Sequence, residues 1–214
     1  MFPPPKDQID ANAPEFETTP LVKPTGFREY DARWLFPQEI NLMGIQALGF
    51  GLGNVLHDLL GSDKTPAIVV GHDYRSYSQS IKLALINGLT SAGVAVHDIG
   101  LALSPTAYFA QFDLDIPAVA MVTASHNENG WTGVKMGAAR PLTFGPDEMD
   151  KLRDMVLANK GAARDGGSYR FVSGMAERYK ADLSTRAPLG RKIKAVVACG
   201  NGTAGAFAPD VLSA

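Results

Sequence analysis

The 214-residue sequence is 45% hydrophobic and 20% charged, with a formal net charge of -2 at pH 7. That describes an ordinary globular chain, long enough for one large domain or one domain and part of another. Its near-neutral balance excludes the strong positive field of a nucleic-acid binder or a protein drawn to anionic membranes. A single cysteine, Cys199, leaves no intramolecular disulfide and no all-cysteine metal site. No apolar run approaches the roughly 20 residues that span a bilayer. The opening "MFPPPKDQIDANAPEF" lacks the basic and apolar regions of a signal peptide, so a cytoplasmic location is expected.

In chain order, residues 1–25 form a proline-rich arm, extended or disordered, with folded sequence expected from about Gly26. Over 38–60, Ile40, Met43, Ala47, Phe50, Leu52, Val55, Leu56 and Leu59 make a helical stripe despite four internal glycines. "AIVVG" (67–71) reads as a buried strand ended by "HDYR". A helix over about 78–92 follows, with Ile81, Leu85 and Leu89 on one face. "VAVHDIG" (94–100) is the second strand, and "SPTAYFAQF" opens a helix with a Ser-Pro pair suited to its cap and first turn. "AVAMV" (118–122) is the third strand, running into the polar loop "TASHNENGWTGVKMG" (123–137). A helix over 145–161 carries acidic residues in its first turn and a lysine near its end, as the macrodipole favours.

Residues 161–171 read as loop, 174–185 as helix and 186–192 as linker. "IKAVVACGNGTAG" then begins again with a strand and a glycine turn leading to a helix. The alternation predicts an α/β domain with a mixed, largely parallel sheet sandwiched by helices, over 26–186. Residues 187–214 read as the start of a second, similar domain, too short to bury a core of its own and so apparently truncated.

Four segments carry candidate chemistry. The 123–137 loop should sit outside the carboxyl end of a strand, where open α/β sheets bind ligands. Ser125 and His126 suggest a hydrolytic pair, but G-x-S-x-G is absent and adjacent residues tend to point apart. A phosphoryl carrier fits better: a serine on a tight loop, backbone N–H groups freed by Gly130 and Gly133, and a cation at Lys135. The bland alternative is a surface turn whose serine and asparagine satisfy local backbone. In "FREYDARW" (27–34), Arg28 and Arg33 offer forks suited to phosphate, or simply a mixed-charge turn. In "GHDYRS" (71–76), His72, Asp73 and Arg75 either face a site or brace a loop. "GNGTAG" (200–205) spells the dinucleotide-binding fingerprint G-x-G-x-x-G, equally a glycine turn for close packing.

Together these segments resemble the α-D-phosphohexomutase family, the phosphomannomutase and phosphoglucomutase enzymes. "TASHN" followed by "GVK" is similar to the family's phosphoserine loop T-A-S-H-N-P…N-G-x-K. "FREYDARW" is similar to F-R-x-Y-D-I-R-G, "GHDYRS" to G-x-D-x-R, and "VVACGNGTAG" to the opening of the second domain. The matches keep their order over roughly 26–212. The resemblance implies interconversion of hexose 6-phosphate and hexose 1-phosphate through a hexose 1,6-bisphosphate.

By the same resemblance Ser125 is the phosphoserine and, through its phosphate, one ligand of Mg²⁺. Lys135 and Arg33 assist proton transfer and stabilise charge, and His126 orients beside the serine. Arg28, Asn127, Asp73 and Arg75 belong to the phosphate neighbourhood, and the partners are small sugar phosphates. Three positions depart from the pattern: Glu128 stands for the usual proline, Thr132 for asparagine and Trp34 for glycine. Family members are about twice as long, with the D-G-D-x-D-R metal loop and the sugar-selecting loops in later domains. The chain alone is therefore expected to lack turnover. The readings left beside this one are a non-catalytic sugar-phosphate or anion-binding module and, on "GNGTAG" alone, a dinucleotide-binding domain.

Overall fold

The computed structural model describes residues 3–61, 65–185 and 190–213. Order begins ahead of Gly26: Leu21 and Val22 are core residues at 1% and 0% exposure, so the proline-rich segment is not merely an arm on the surface. One side chain ties it down. Asn41 Oδ1 accepts from the Leu21 amide at 2.9 Å and the Gly44 amide at 2.7 Å, while Nδ2 donates to the Phe16 and Thr19 carbonyls. The same Asn41 is the N-cap of the first helix, α1 (Leu42–Leu60), which therefore starts four residues later than the stripe suggested.

The strands are β1 (Ala32–Leu35), β2 (Ala67–His72), β3 (Ala95–Leu101), β4 (Ala118–Val122), β5 (Trp131–Gly137) and β6 (Ser168–Phe171). The remaining helices are α2 (Ser78–Ser91), α3 (Ser104–Asp113), α4 (Pro146–Leu157), α5 (Met175–Ser184) and α6 (Ala208–Ser213). The strands form one sheet in the order β1-β5-β4-β2-β3-β6. β4, β2, β3 and β6 run parallel, and β5 and β1 are added antiparallel at one side. Every residue of β4 is buried, as expected of a parallel strand covered on both faces.

Alternation along the strands builds two cores. Ile68, Val70, Ala118, Ala120 and Val122 face α1, α2 and α4. Val69, Val119 and Met121 face α3 and α5 on the other side. The sandwich is thus α/β/α. The glycines of α1 are explained by its packing on α2: a Cβ on Gly49 would lie 2.1 Å from the Leu85 carbonyl oxygen, and one on Gly88 2.0 Å from that of Gln46. The two backbones touch with no side-chain layer between them. Gly88→Ala is expected to cost about 1–3 kcal/mol by overpacking, read as a lowered urea midpoint with an unchanged slope.

Several sequence expectations are corrected. Half of the 123–137 segment is strand, because its glycines serve close approach: a Cβ on Gly133 would sit 2.2 Å from the Ala32 carbonyl oxygen. Within 161–171, residues 168–171 form β6, an edge strand whose four residues are all exposed and show no burial pattern. Ser104 is not a cap but the first residue of α3, whose N-cap Leu103 makes no side-chain bond. Lys160 lies past the end of α4, which has no basic residue in its last turn. The strand expected in "IKAVVAC" is absent: Val196 and Val197 are 96% and 51% exposed, with no neighbouring strand to pair with among the described residues. Of the 186–192 linker, residues 186–189 lie outside the described residues.

Candidate functional site

In the sheet, β2 is flanked by β3 on one side and β4 on the other, so the chain reverses direction across the sheet there. Open α/β sheets bind ligands at the carboxyl ends of such strands. Those ends converge here. Segments 73–76 after β2, 102–105 after β3 and 123–129 after β4 line one cleft of about 970 Å³, closed on its far side by 201–204. Ser125, His126, Asn127, Asp73 and Arg75 all lie on its wall.

Ser125 has φ 56°, in the left-handed region. The other non-glycine residues there, Asp115 and Asn159, are of the types that tolerate it. Ser125 is not, and such a conformation costs about 1–3 kcal/mol. Its amide donates to Thr123 Oγ1 at 3.0 Å and its hydroxyl is exposed. His126 Nδ1 is 3.4 Å from Ser125 Oγ, too long for a proton-sharing pair and in keeping with the case against a hydrolytic dyad.

Arg75 braces the loop. Its guanidinium donates to the Asp73 carboxylate and, through Nη2, to the Asn127 carbonyl at 2.6 Å and the Ser125 carbonyl at 3.5 Å. Asp73 is 5% exposed and is held in turn by Ser78 Oγ at 2.6 Å. Burial lowers the pKa of His72, which adjoins this turn and contacts the Asp73 carbonyl through Nδ1. That favours the neutral ring.

A second cleft, about 530 Å³, holds Arg28, Arg33, Asp31, Tyr108, Lys135 and again His126. Arg33 donates through Nε and Nη2 to Asp31 at 2.8 and 2.6 Å, and through Nη1 to Asn127 Oδ1 at 2.7 Å, linking β1 to the serine loop. Arg28 lies over the Trp131 ring at 5.6 Å. Lys135 is opposite Met121 and faces the α3 side, between the buried Val134 and Met136. Burial, then the Asp31 charge, raises the Tyr108 pKa, keeping its phenol protonated. The predicted residues are thus divided: Ser125 lines the first cleft, Lys135 and Arg33 the second, and His126 both.

Gly130 does not supply a free N–H group. The Gly130 amide donates to Tyr77 Oη at 2.8 Å, and Tyr77 donates to the Trp131 carbonyl at 2.8 Å. Gly133 lies within β5. Tyr77, Thr123, Ser78 and Tyr108 were missed because lone hydroxyls in helices and turns carry no spacing signal. Thr132, one of the departures, has a buried Oγ1 with no partner. Thr132→Val is expected to be neutral or to stabilise by about 1 kcal/mol, since an unsatisfied buried hydroxyl is removed; thermal melts check this.

Among the described residues no three His, Cys, Asp or Glu side chains are grouped to hold a metal. Asp73 is already paired with Arg75 and Ser78. The donor set of this chain does not by itself fit Mg²⁺. Around "GNGTAG" the context of a dinucleotide fingerprint is also lacking, since no strand precedes it among the described residues. No helix among the described residues is long and apolar enough to cross a membrane.

A mixed α/β/α sheet with a strained serine at the reversal of its strand order defines a ligand-binding domain of the open α/β class. The chain belongs to the phosphoglucomutase/phosphomannomutase family: the model of its alpha/beta/alpha domain I matches residues 24–162. It is 34% identical over 187 residues to a phosphomannomutase of Vibrio cholerae, covering 85% of this chain and 39% of that protein. To a phosphomannomutase/phosphoglucomutase of Pseudomonas syringae it is 29% identical over 195 residues, covering 91% and 40%. The crystal structure of a phosphoglucomutase/phosphomannomutase family protein from Burkholderia thailandensis superposes with a TM-score of 0.81 at 27% identity, over 90% of this chain and 42% of that one. The chain therefore spans about two fifths of the length of these relatives.

Proposed function

We propose that this chain is the serine-bearing part of a hexose-phosphate mutase, with 26–186 as the phosphoserine domain and 187–214 opening a second α/β unit. Ser125 carries the phosphoryl group that passes between the 6- and 1-positions of a hexose through a hexose 1,6-bisphosphate. The observation that carries the reading is Ser125 in the left-handed conformation, exposed at the end of the central strand β4, on a loop whose carbonyls are held by Arg75. Strain of that kind persists where surrounding bonds enforce it and concentrates at functional sites.

In the transfer, a sugar hydroxyl oxygen bonds to phosphorus as the P–Oγ bond of phosphoserine breaks. The hydroxyl's proton is passed toward the serine oxygen, with Lys135 the group assigned to assist. Arg33, fixed by Asp31 and Asn127, offers charge to the phosphoryl oxygens. A phosphoserine brings about -1.5 to -2 charges, and Arg28, Arg33 and Lys135 supply cations in the adjoining cleft. Mg²⁺ would be held through the serine phosphate, with its other ligands coming from outside this set, and would neutralise charge there. Turnover is assigned to a protein of the relatives' length rather than to this chain alone.

Incubation with glucose 1,6-bisphosphate should leave one phosphoryl group on Ser125, located by intact and peptide mass. A natively folded protein of the relatives' full length that never acquires it would sink the reading. Saturable binding of NAD instead would favour the dinucleotide alternative.

A further inference from the structure

We infer that Tyr77 is a positioning residue that, with Arg75, moulds the serine loop from the β2–α2 turn and holds Ser125 in its left-handed backbone. This rests on Ser125 being the phosphoryl carrier. Three residues of the 73–77 segment reach the loop along its whole length, through five hydrogen bonds. The Asp73 amide donates to the Val122 carbonyl at 3.0 Å, where β4 ends. Arg75 takes the carbonyls of Ser125 and Asn127 in the middle. Tyr77 takes the far end, accepting from the Gly130 amide and donating to the Trp131 carbonyl, both at 2.8 Å.

The far end is gripped from both sides. The Phe36 amide donates to the Gly130 carbonyl at 2.8 Å, and the Phe36 ring stacks on Tyr77 with centroids 5.6 Å apart. One phenol oxygen thus joins the peptide groups on either side of the Gly130–Trp131 bond, at the point where the loop, with Gly130 at φ +96°, turns into β5. Without it, the loop stays anchored at Val122, through Arg75 and by the Phe36 amide, but its far end loses both bonds to the β2–α2 turn. Tyr77 touches neither cleft's wall, so it acts through the loop and not on a bound sugar.

The test is Tyr77→Phe, which keeps the ring stack and removes both bonds, with Arg75→Lys as a second variant that keeps the charge and loses the fork. Amide hydrogen exchange is followed residue by residue in the unphosphorylated chain, and phosphoryl uptake at Ser125 is timed by mass with glucose 1,6-bisphosphate. In Tyr77→Phe the amides of Ser125, Asn127 and Gly130 should exchange about tenfold faster or more while those of β2 and β4 keep their rates. Phosphoryl uptake should slow by about tenfold or more, since small misplacement of a reacting group is costly. Loop exchange that does not change, or exchange that rises equally across the sheet, overturns the inference. So does loosened loop exchange with uptake at the native rate. If a protein of the relatives' full length takes up no phosphate, the carrier reading fails, and the exchange data still decide whether Tyr77 holds the loop.

Discussion

Ser125→Ala is expected to erase the phosphoryl adduct and to lower phosphoryl uptake by at least about 10³-fold, the scale seen when a covalent nucleophile is removed. The loss should be chemical and not structural. The side chain is exposed and, among the described residues, its one polar contact is the 3.4 Å approach to His126, so folding stability should move by no more than about 0.5 kcal/mol. A second substitution separates chemistry from backbone strain. Ser125→Gly also removes the hydroxyl, but glycine adopts φ 56° without penalty and should raise stability by about 1 kcal/mol. Urea titration of the three proteins checks both statements. A glycine variant no more stable than the native chain would show that the left-handed backbone stores no strain.

Lys82→Met is expected to cost about 3–5 kcal/mol. Lys82 and Asp98 are 4% and 1% exposed, and the ammonium donates to both carboxylate oxygens at 2.8 and 2.6 Å. The Gly100 amide and the Tyr169 hydroxyl complete the coordination of Asp98 at 2.9 and 3.1 Å. Removing the lysine leaves a buried carboxylate with only those two neutral donors. Replacing both charges, as Lys82→Met with Asp98→Leu, should recover most of the loss, because the desolvation cost disappears along with the attraction. A double variant as unstable as the single one would show that the pair itself, and not the stranded charge, sets the effect. Denaturant unfolding of the single and double variants distinguishes the outcomes.

The fold was legible where burial wrote a period into the sequence. "AVAMV" and "AIVVG" are apolar on both faces because β4 and β2 lie in the middle of the sheet, and α2 shows its stripe because it covers them. It was illegible where partners, not residue types, make the structure. The exposed residues of β6 are strand only because β3 lies alongside, and Val196 and Val197 are not strand because nothing does. In the candidate site, a serine after a buried strand could be singled out from residue type and place. What the spacing did not reveal was how the surrounding groups are used. Arg75 is committed to Asp73 and the loop carbonyls, and Gly130 donates to Tyr77 from 53 residues earlier.

The glycine contact between α1 and α2 bears on how this domain can move. Helices that slide past one another do so by repacking the side chains between them. Where Gly49 and Gly88 bring backbone onto backbone, there is no such layer to rearrange. The pair should therefore travel as one rigid body, with the turn that leads into α2 carried along. Any opening or closing of the cleft then falls to its far wall, 201–204, which among the described residues meets the β2–α2 turn through a hydrogen bond from the Tyr74 amide to Thr203 Oγ1.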